Sequence, residues 1–399
     1  MRGHIRKRSK KSWTIWIDLG RDATGKRRQK TITVQGAKRD AERELAKILD
    51  QLHKGAYVEP STMLVREFLE KWLAHAATRV SAKTHERYKE LIDSHVVPEL
   101  GTYKIGQLRP LHFQSLYTDL LATGRRDGKG GLSAQTVVHV HRVVRTAFHQ
   151  ALRWQLLAVN PIDAVEPPRP KKREMLALDE TQTARLLHVI EGTRLYMPVL
   201  LAVSLGMRRG ELLGLRWTDI DLERGELSVL RTLEQTSDGL NFKEPKTDNA
   251  RRKVTLPPMT IEALQSHRAR QAEQRLLLGP AYEDYGLVLA REDGAPWPPN
   301  KLSAAFGKLV RSQNIPQVRF HDLRHSHATQ LLKQGIHPKI VSERLGHSSI
   351  NITLDLYSHV LPGMQRDAVL GFDRALQQAI NDENENEPGA NDPVSPSPR

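Results

Sequence analysis

The 399-residue chain contains no cysteine, and only 5% of it is aromatic. Without a thiol it can build neither a disulfide framework nor a thiolate metal site, which suits a reducing, cytoplasmic setting. Long hydrophobic runs are missing as well. The longest apolar stretch, around Pro198 to Leu205, falls far short of the roughly 20 residues that a spanning helix needs, so no membrane association is expected. Arg2 to Lys11 is basic with no apolar core behind it, which argues against a secretory leader. There is no Gly-x-x-x-x-Gly-Lys-Ser/Thr phosphate loop and no His-Glu-x-x-His pair. Asp219 and Asp221 form a lone Asp-x-Asp that reads as helix-end capping. No metal and no cofactor is therefore expected.

Acidic residues are in deficit. Lys and Arg number 61 against 46 Asp and Glu, a net charge of +15, and the sequence pI is near 9.9, which suits a polyanionic partner. The excess is uneven: residues 1–30 hold 11 Lys/Arg and 2 Asp, a net of +9. Within them Trp13, Ile15, Ile17 and Leu19 alternate with Thr14, Trp16 and Asp18, the period of a half-buried strand, and Arg27 to Val34 repeats it after a turn. A helix from about Ala37 would present Ala41, Leu45, Ile48, Leu49 and Leu52 on one face.

From Ser61 to Asn160 the pattern is helical. Leu64, Phe68, Leu69 and Trp72 make one stripe; Tyr88, Leu91 and Ile92 follow a cap at Ser81; Leu116, Leu120 and Leu121 follow Pro110. A fourth helix after Ser133 turns Val137, Val140 or His141, Val144, Phe148 and Leu152 inward. His139, His141 and His149 read as groove contacts or surface residues, not ligands. Pro167 to Arg173 is a stiff, basic linker. The expected architecture is a multidomain α+β fold: a small N-terminal basic β-sheet plus helix, a helical domain, then a mixed, mainly α C-terminal domain with a small antiparallel sheet. With 39% hydrophobic residues there is enough apolar side chain for a core in each.

The densest chemistry lies in Phe320-His321-Asp322-Leu323-Arg324-His325-Ser326-His327-Ala328-Thr329, followed by Leu345-Gly346-His347 and Tyr357. His321 and Arg324, three apart on a helical stretch, can face one anion, and the planar Arg fork matches phosphate oxygens. Pro338 and Gly346 bracket a short helix that delivers His347. Tyr357 lies on an amphipathic stretch whose buried face would be Ile350, Leu354 and Val360; a phenol near pKa 10 becomes a competent nucleophile only beside fixed positive charge. Upstream, an apolar helix ends at Gly206 and another begins near Arg208, with Glu211 one turn on to orient its guanidinium. Lys246 sits in a polar turn between strand-like runs at Glu226 to Leu233 and Arg252 to Leu256, where a hairpin tip could protonate a leaving oxygen.

In order and spacing, Arg208, Lys246, His321, Arg324, His347 and Tyr357 resemble the tyrosine recombinases, the phage-integrase family of site-specific DNA recombinases, over roughly residues 173 to 362. One departure is local: Ser204-Leu205-Gly206 stands where many members carry a Thr-Gly pair. The resemblance implies that Tyr357 attacks the scissile phosphate to give a 3'-phosphotyrosyl link. Arg208, Arg324 and His347 would hold the non-bridging oxygens, His321 would assist proton transfer, Lys246 would protonate the 5'-oxygen, and Glu211 would buttress Arg208. Such chemistry needs neither ATP nor a metal ion, because the phosphodiester energy is kept in the tyrosyl link.

It further implies an arm-type DNA-binding domain over 1–57, with Arg6, Lys7, Arg8, Lys10, Lys11, Lys26, Arg27, Arg28 and Lys30 as DNA contacts. A core-binding domain over 61–160, a linker over 161–174 and the catalytic domain over 175–380 follow. The expected partners are double-stranded DNA attachment sites and three further copies of the chain in a homotetramer, and the resemblance leaves room for an excisionase and a host DNA-bending protein. Met364, Ala368, Phe372, Leu376 and Ile380 mark a last apolar stripe that docks either in cis or on a neighbour, and 381–399 is expected to be disordered. The rival assignments are a Xer-like resolvase, against which the basic N-terminal sheet weighs, a conjugative-element recombinase, and a non-catalytic DNA-binding regulator.

Overall fold

A computed structural model describes residues 3–21, 25, 27–53, 61–171, 175–244, 251–313, 315–357 and 364–386. The chain divides into two compact units, Met1–Lys172 and Arg173–Arg399.

The first unit opens with strands β1 (Gly3–Ser9), β2 (Ser12–Arg21) and β3 (Arg27–Gln35), an antiparallel sheet in the order β1-β2-β3, backed by helix α1 (Lys38–His53). The alternation in β2 is the physical cause: Ile15 and Ile17 are fully buried against Ala41 and Ile48 of α1. Strand β1 was not legible, since of its residues only Ile5 is an apolar side chain that packs on this core. The basic run at the start is thus an edge strand, with Ile5 opposite Ile15 and Arg6 opposite Thr14.

Four longer helices follow, α2 (Val65–Ala77), α3 (Ala82–His95), α5 (Pro110–Thr123) and α6 (Ala134–Arg153), with a single-turn α4 (Val97–Leu100) interposed. Ser81 and Ser133 cap α3 and α6 by accepting from the Thr84 and Thr136 amides, and Pro110 stands in the first turn of α5. Phe68, Leu69, Ile92, Phe113, Tyr117 and Phe148 form the centre of this core. Three expectations need correction. Leu121 is exposed and Leu152 only half-buried, with Ala151 taking the inward place. His141 is neither a groove contact nor a surface residue, because it is buried and hydrogen-bonded through Nδ1 to the Tyr117 hydroxyl at 3.1 Å.

The second unit runs α7 (Glu180–Val189), α8 (Tyr196–Leu205), α9 (Arg209–Gly214), β4 (Ile220–Asp221), β5 (Glu226–Val229), β6 (Thr232–Thr236), β7 (Gly239–Lys243), β8 (Arg252–Thr255), α10 (Pro258–Leu278), α11 (Pro299–Ser312), α12 (Asp322–Lys333), α13 (Pro338–Leu345), α14 (Ile350–Tyr357) and α15 (Met364–Asn386). Apolar nearly all round, α8 is buried at the centre of the core. The run read as one strand from Glu226 to Leu233 is two: β5 pairs with β4 and β8, while β6 forms a separate hairpin with β7. Lys246 falls between β7 and β8 in the sequence, and it lies outside the described residues.

Helix α15 continues to Asn386, past the boundary expected at 380, and exposes Phe372, Leu376 and Ile380. Among the described residues no helix is long and apolar enough to cross a membrane. Asp219 and Asp221 behave as caps. Asp219 accepts from the Arg216 amide and pairs with Arg231, and Asp221 accepts from the Glu223 and Arg224 amides.

Candidate active site

The site grows from two glycine-capped helix ends. Helix α8 stops at Gly206, whose left-handed backbone (φ 63°) turns the chain back into α9. A side chain could not fit there: a Cβ would come within 2.6 Å of both the His327 ring and Leu345. Helix α13 stops in the same manner at Gly346 (φ 67°), and the His347 amide donates to the Ser342 carbonyl at 3.0 Å, closing a Schellman turn. Both helix ends leave carbonyl oxygens without helical partners, at the negative end of a helix dipole.

Two arginines take those carbonyls. Arg324, buried on α12, donates from Nη1 to the Gly206 oxygen (2.6 Å) and from Nη2 to the Leu345 oxygen (2.7 Å). Arg208, at the start of α9, donates from Nη2 to the Gly346 oxygen (2.9 Å) and from Nη1 to Glu211 Oε1 (2.7 Å). Glu211 also accepts from the Arg208 amide, so the carboxylate caps the helix and orients the guanidinium together. Arg324 and Arg208, 21 and 138 positions from Leu345 and Gly346, are thereby drawn to the turn that ends α13.

The next residue on that turn is His347, with Nδ1 2.8 Å from the Thr353 hydroxyl of α14. Thr353 is fully buried and stands one helical turn before Tyr357, so the same short helix that braces His347 carries the tyrosine. Leu354 does not supply a buried face as expected; it is exposed, and Thr353 takes the inward position. Val360 lies outside the described residues, and of Tyr357 the helical backbone is described. His321 stands at the residue before α12, with its ring 5.1 Å from that of His325 one turn on.

Electrostatics favour an anion here. Burial first, then the Arg324 and Arg208 charges, push His347 down to about 4. Burial and the neighbouring His321 bring His325 to about 4 as well, and His321 is lowered by burial and then by Arg324. Burial alone would raise Glu211, but Arg252 and Arg208 outweigh it and hold the carboxyl below its ordinary value. The site thus disfavours the charged form of its histidines, and a bound phosphate would favour imidazole protonation. A groove of about 710 Å³ opens beside it, lined by Arg208, Arg209, Arg311, Gln317, Arg319 and His321.

The sequence-expected set is therefore brought together at Arg208, Glu211, His321, Arg324 and His347. Sequence reasoning missed Arg252, which donates to Glu211 Oε2 at 2.9 Å and to the Arg344 carbonyl at 2.7 Å. It also missed Thr353 and the pair His327 and Arg344. His327 bonds the Val203 carbonyl through Nδ1 and accepts from Arg344 Nε through Nε2. No local signal separates Arg252 from its neighbour Arg251; the difference is made by the partners that folding supplies.

In the N-terminal sheet the candidate DNA contacts fall into groups. Arg6 and Arg8 share the helix-free face with His4, Thr14, Trp16, Thr31 and Thr33. By register, Lys7 and Lys30 lie on the α1 side, and Lys10 and Lys11 occupy the turn into β2. Lys26 and the side chains of Arg27 and Arg28 are outside what is described.

Arginines and histidines gathered ahead of a tyrosine on a mainly helical domain are groups suited to holding a phosphate. The comparisons carry the identification further. The model of the phage integrase family matches residues 177–363, and that of the phage integrase N-terminal SAM-like domain matches 64–121. A tyrosine recombinase XerC-like protein of Caldanaerobacter subterraneus subsp. tengcongensis is 30% identical over 384 residues, 91% of this chain and 96% of the relative. The ICEBs1 integrase of Bacillus subtilis is 22% identical over 374 residues, 93% of this chain and 100% of the relative.

Among solved structures, the Tn1549 transposon integrase in complex with transposon right end DNA superposes with a TM-score of 0.63 at 22% identity, covering 74% of this chain and 95% of that one. A lambda integrase in a tetramer bound to a Holliday junction gives 0.54 at 18%, covering 86% and 95%. These likenesses establish the fold. The chain belongs to the tyrosine recombinase, or phage-integrase, family, and its activity is site-specific DNA recombination.

Proposed function

We propose that this recombinase integrates and excises a mobile element by transient covalent attachment through Tyr357. The phenol oxygen attacks the scissile phosphorus and the bond from phosphorus to the 5'-oxygen breaks. His321 takes the phenol proton, and Lys246 gives one to the departing 5'-oxygen. Arg208, Arg324 and His347 stabilise the two non-bridging oxygens while negative charge accumulates. Attack by a 5'-hydroxyl from a partner strand reverses each step, so neither ATP nor a divalent ion enters the balance. Neutral His347 fits its role: with Nδ1 engaged by Thr353, Nε2 is the atom left to donate to phosphate.

The observation that carries this reading is the convergence of Arg208 and Arg324 on two successive carbonyls, those of Gly346 and Leu345, immediately before His347. A nicked suicide duplex carrying the attachment site tests it. Incubation in EDTA is expected to give an SDS-stable protein–DNA adduct that Tyr357→Phe abolishes. An adduct that survives this substitution would sink the assignment.

The domain roles follow from the same reading. Residues 1–57 would bind arm sites through the helix-free sheet face, 61–160 would clamp core DNA, 161–174 would link them to the catalytic domain over 175–380, and excisionase or DNA-bending partners would act through the arm. The basic sheet favours mobile-element integration over a Xer-like housekeeping role, while a conjugative element is as compatible as a phage. The apolar stripe of α15 suits docking on a neighbouring copy within a tetramer on DNA, in the reducing cytoplasm that a cysteine-free chain tolerates.

A further inference from the structure

We propose that Arg252 is a positioning residue for strand cleavage: it ties the Glu211 carboxylate to the C-terminal turn of α13 and so sets where Arg208, Arg324 and His347 stand relative to one another. This rests on the catalytic reading of those three residues given above. Three consecutive carbonyls at the end of α13 each accept from a different arginine: Arg344 oxygen from Arg252 Nε (2.7 Å), Leu345 oxygen from Arg324 (2.7 Å) and Gly346 oxygen from Arg208 (2.9 Å). The arginines come from β8, α12 and the start of α9. They meet where a helix dipole and unpaired backbone oxygens offset the repulsion among like charges.

Arg252 differs from the other two in what it touches. Its side chain is only 7% exposed, and its fork spans from the Arg344 carbonyl to Glu211 Oε2 at 2.9 Å. Glu211 uses its other oxygen on Arg208. A closed circuit results, from the α13 turn through Arg252, Glu211 and Arg208 back to the α13 turn. The Arg344 side chain fastens the same turn from behind, on His327, the Ser204 carbonyl and the Thr255 carbonyl. Arg252 thus acts on phosphate chemistry through other residues, by holding the first arginine and His347 in fixed register before DNA arrives.

Arg252→Lys is the informative change, because an ammonium keeps the charge but cannot span both acceptors with a planar fork. The single-turnover rate of adduct formation on the suicide duplex is expected to fall on the order of 100-fold. Affinity for the duplex should stay within about twofold and the melting temperature within a few degrees, which a merely structural loss would not allow. The double variant Arg252→Lys/Glu211→Gln should be no slower than the slower single variant, since both cut one circuit. A rate for Arg252→Lys within about threefold of the parent, full multiplication of the two losses, or a deficit that vanishes after correction for the folded fraction would each overturn the proposal. Absence of any adduct from the parent chain, or an adduct from Tyr357→Phe, would instead remove the catalytic reading itself.

Discussion

The N-terminal sheet and the catalytic site both concentrate positive charge, yet they hold it in opposite ways. On the sheet, Arg6, Lys7, Arg8, Lys10 and Lys11 are exposed side chains. In the catalytic unit, Arg324 is buried and Arg208 is clamped by a carboxylate and a carbonyl. Exposed cations suit affinity: they release counterions from a polyanion, tolerate many sequences and fade with salt. Caged cations suit catalysis, because they are already oriented where transition-state charge develops and need no reorganisation. Under the proposed function the same residue type would serve binding in one place and chemistry in another, with burial and partners making the difference.

The contrast breaks most sharply at Arg324. Replacing it by Ala should lower the rate of adduct formation by about three orders of magnitude or more, while duplex affinity measured by filter binding falls by less than about tenfold. A comparable loss in both quantities would mean that the buried arginine serves general DNA binding.

A second departure concerns pH. His327 is pushed from 6.5 to about 4, by burial and then by the Arg344 charge. The unfolded chain therefore takes up this proton below pH 6.5 while the folded chain resists it until about pH 4. Stability should be level above pH 6.5 and decline between the two values, by about 3 kcal/mol for His327 at the cost of roughly 1.4 kcal/mol per pH unit. Urea denaturation across that range measures the decline, and His327→Gln should make it shallower by that share, leaving the part due to His325 and His347. An unchanged slope in the variant would show that the imidazole is not kept neutral by its cage.

The smallest effect belongs to the sheet. Arg6→Ala/Arg8→Ala should weaken arm-site binding and reduce the salt slope, log K against log salt, by about 2, with covalent cleavage of a core-site duplex unaltered. A drop in cleavage without a change in slope would reverse the two roles.

Much of this site was legible because its signals are local. Gly206 and Gly346 announce left-handed caps, Pro338 a helix start, and Arg208 with Glu211 an i,i+3 pair, and each is found in place. Leu354 was misjudged because an amphipathic pattern with Thr353 inward differs from one with Leu354 inward by a single step of helical phase. The hairpin β6–β7 was hidden because two short strands in separate sheets, Glu226–Val229 and Thr232–Thr236, are contiguous in β propensity. Arg252 was out of reach, since an arginine at a strand start carries no sign that its fork will find a carboxylate 41 residues away and a carbonyl 92 residues away.

By itself, then, the order of residues determined the chemistry available to this protein: which cations, imidazoles and phenol exist, which helices end in glycine, and that the chain meets a polyanion. Those properties depend on side-chain identity and on hydrogen bonds within one turn of backbone. Only the tertiary structure decided which arginines become fixed parts of a site and which stay on the surface. That choice rests on backbone carbonyls at the end of α13, whose position in space is set by packing among distant elements.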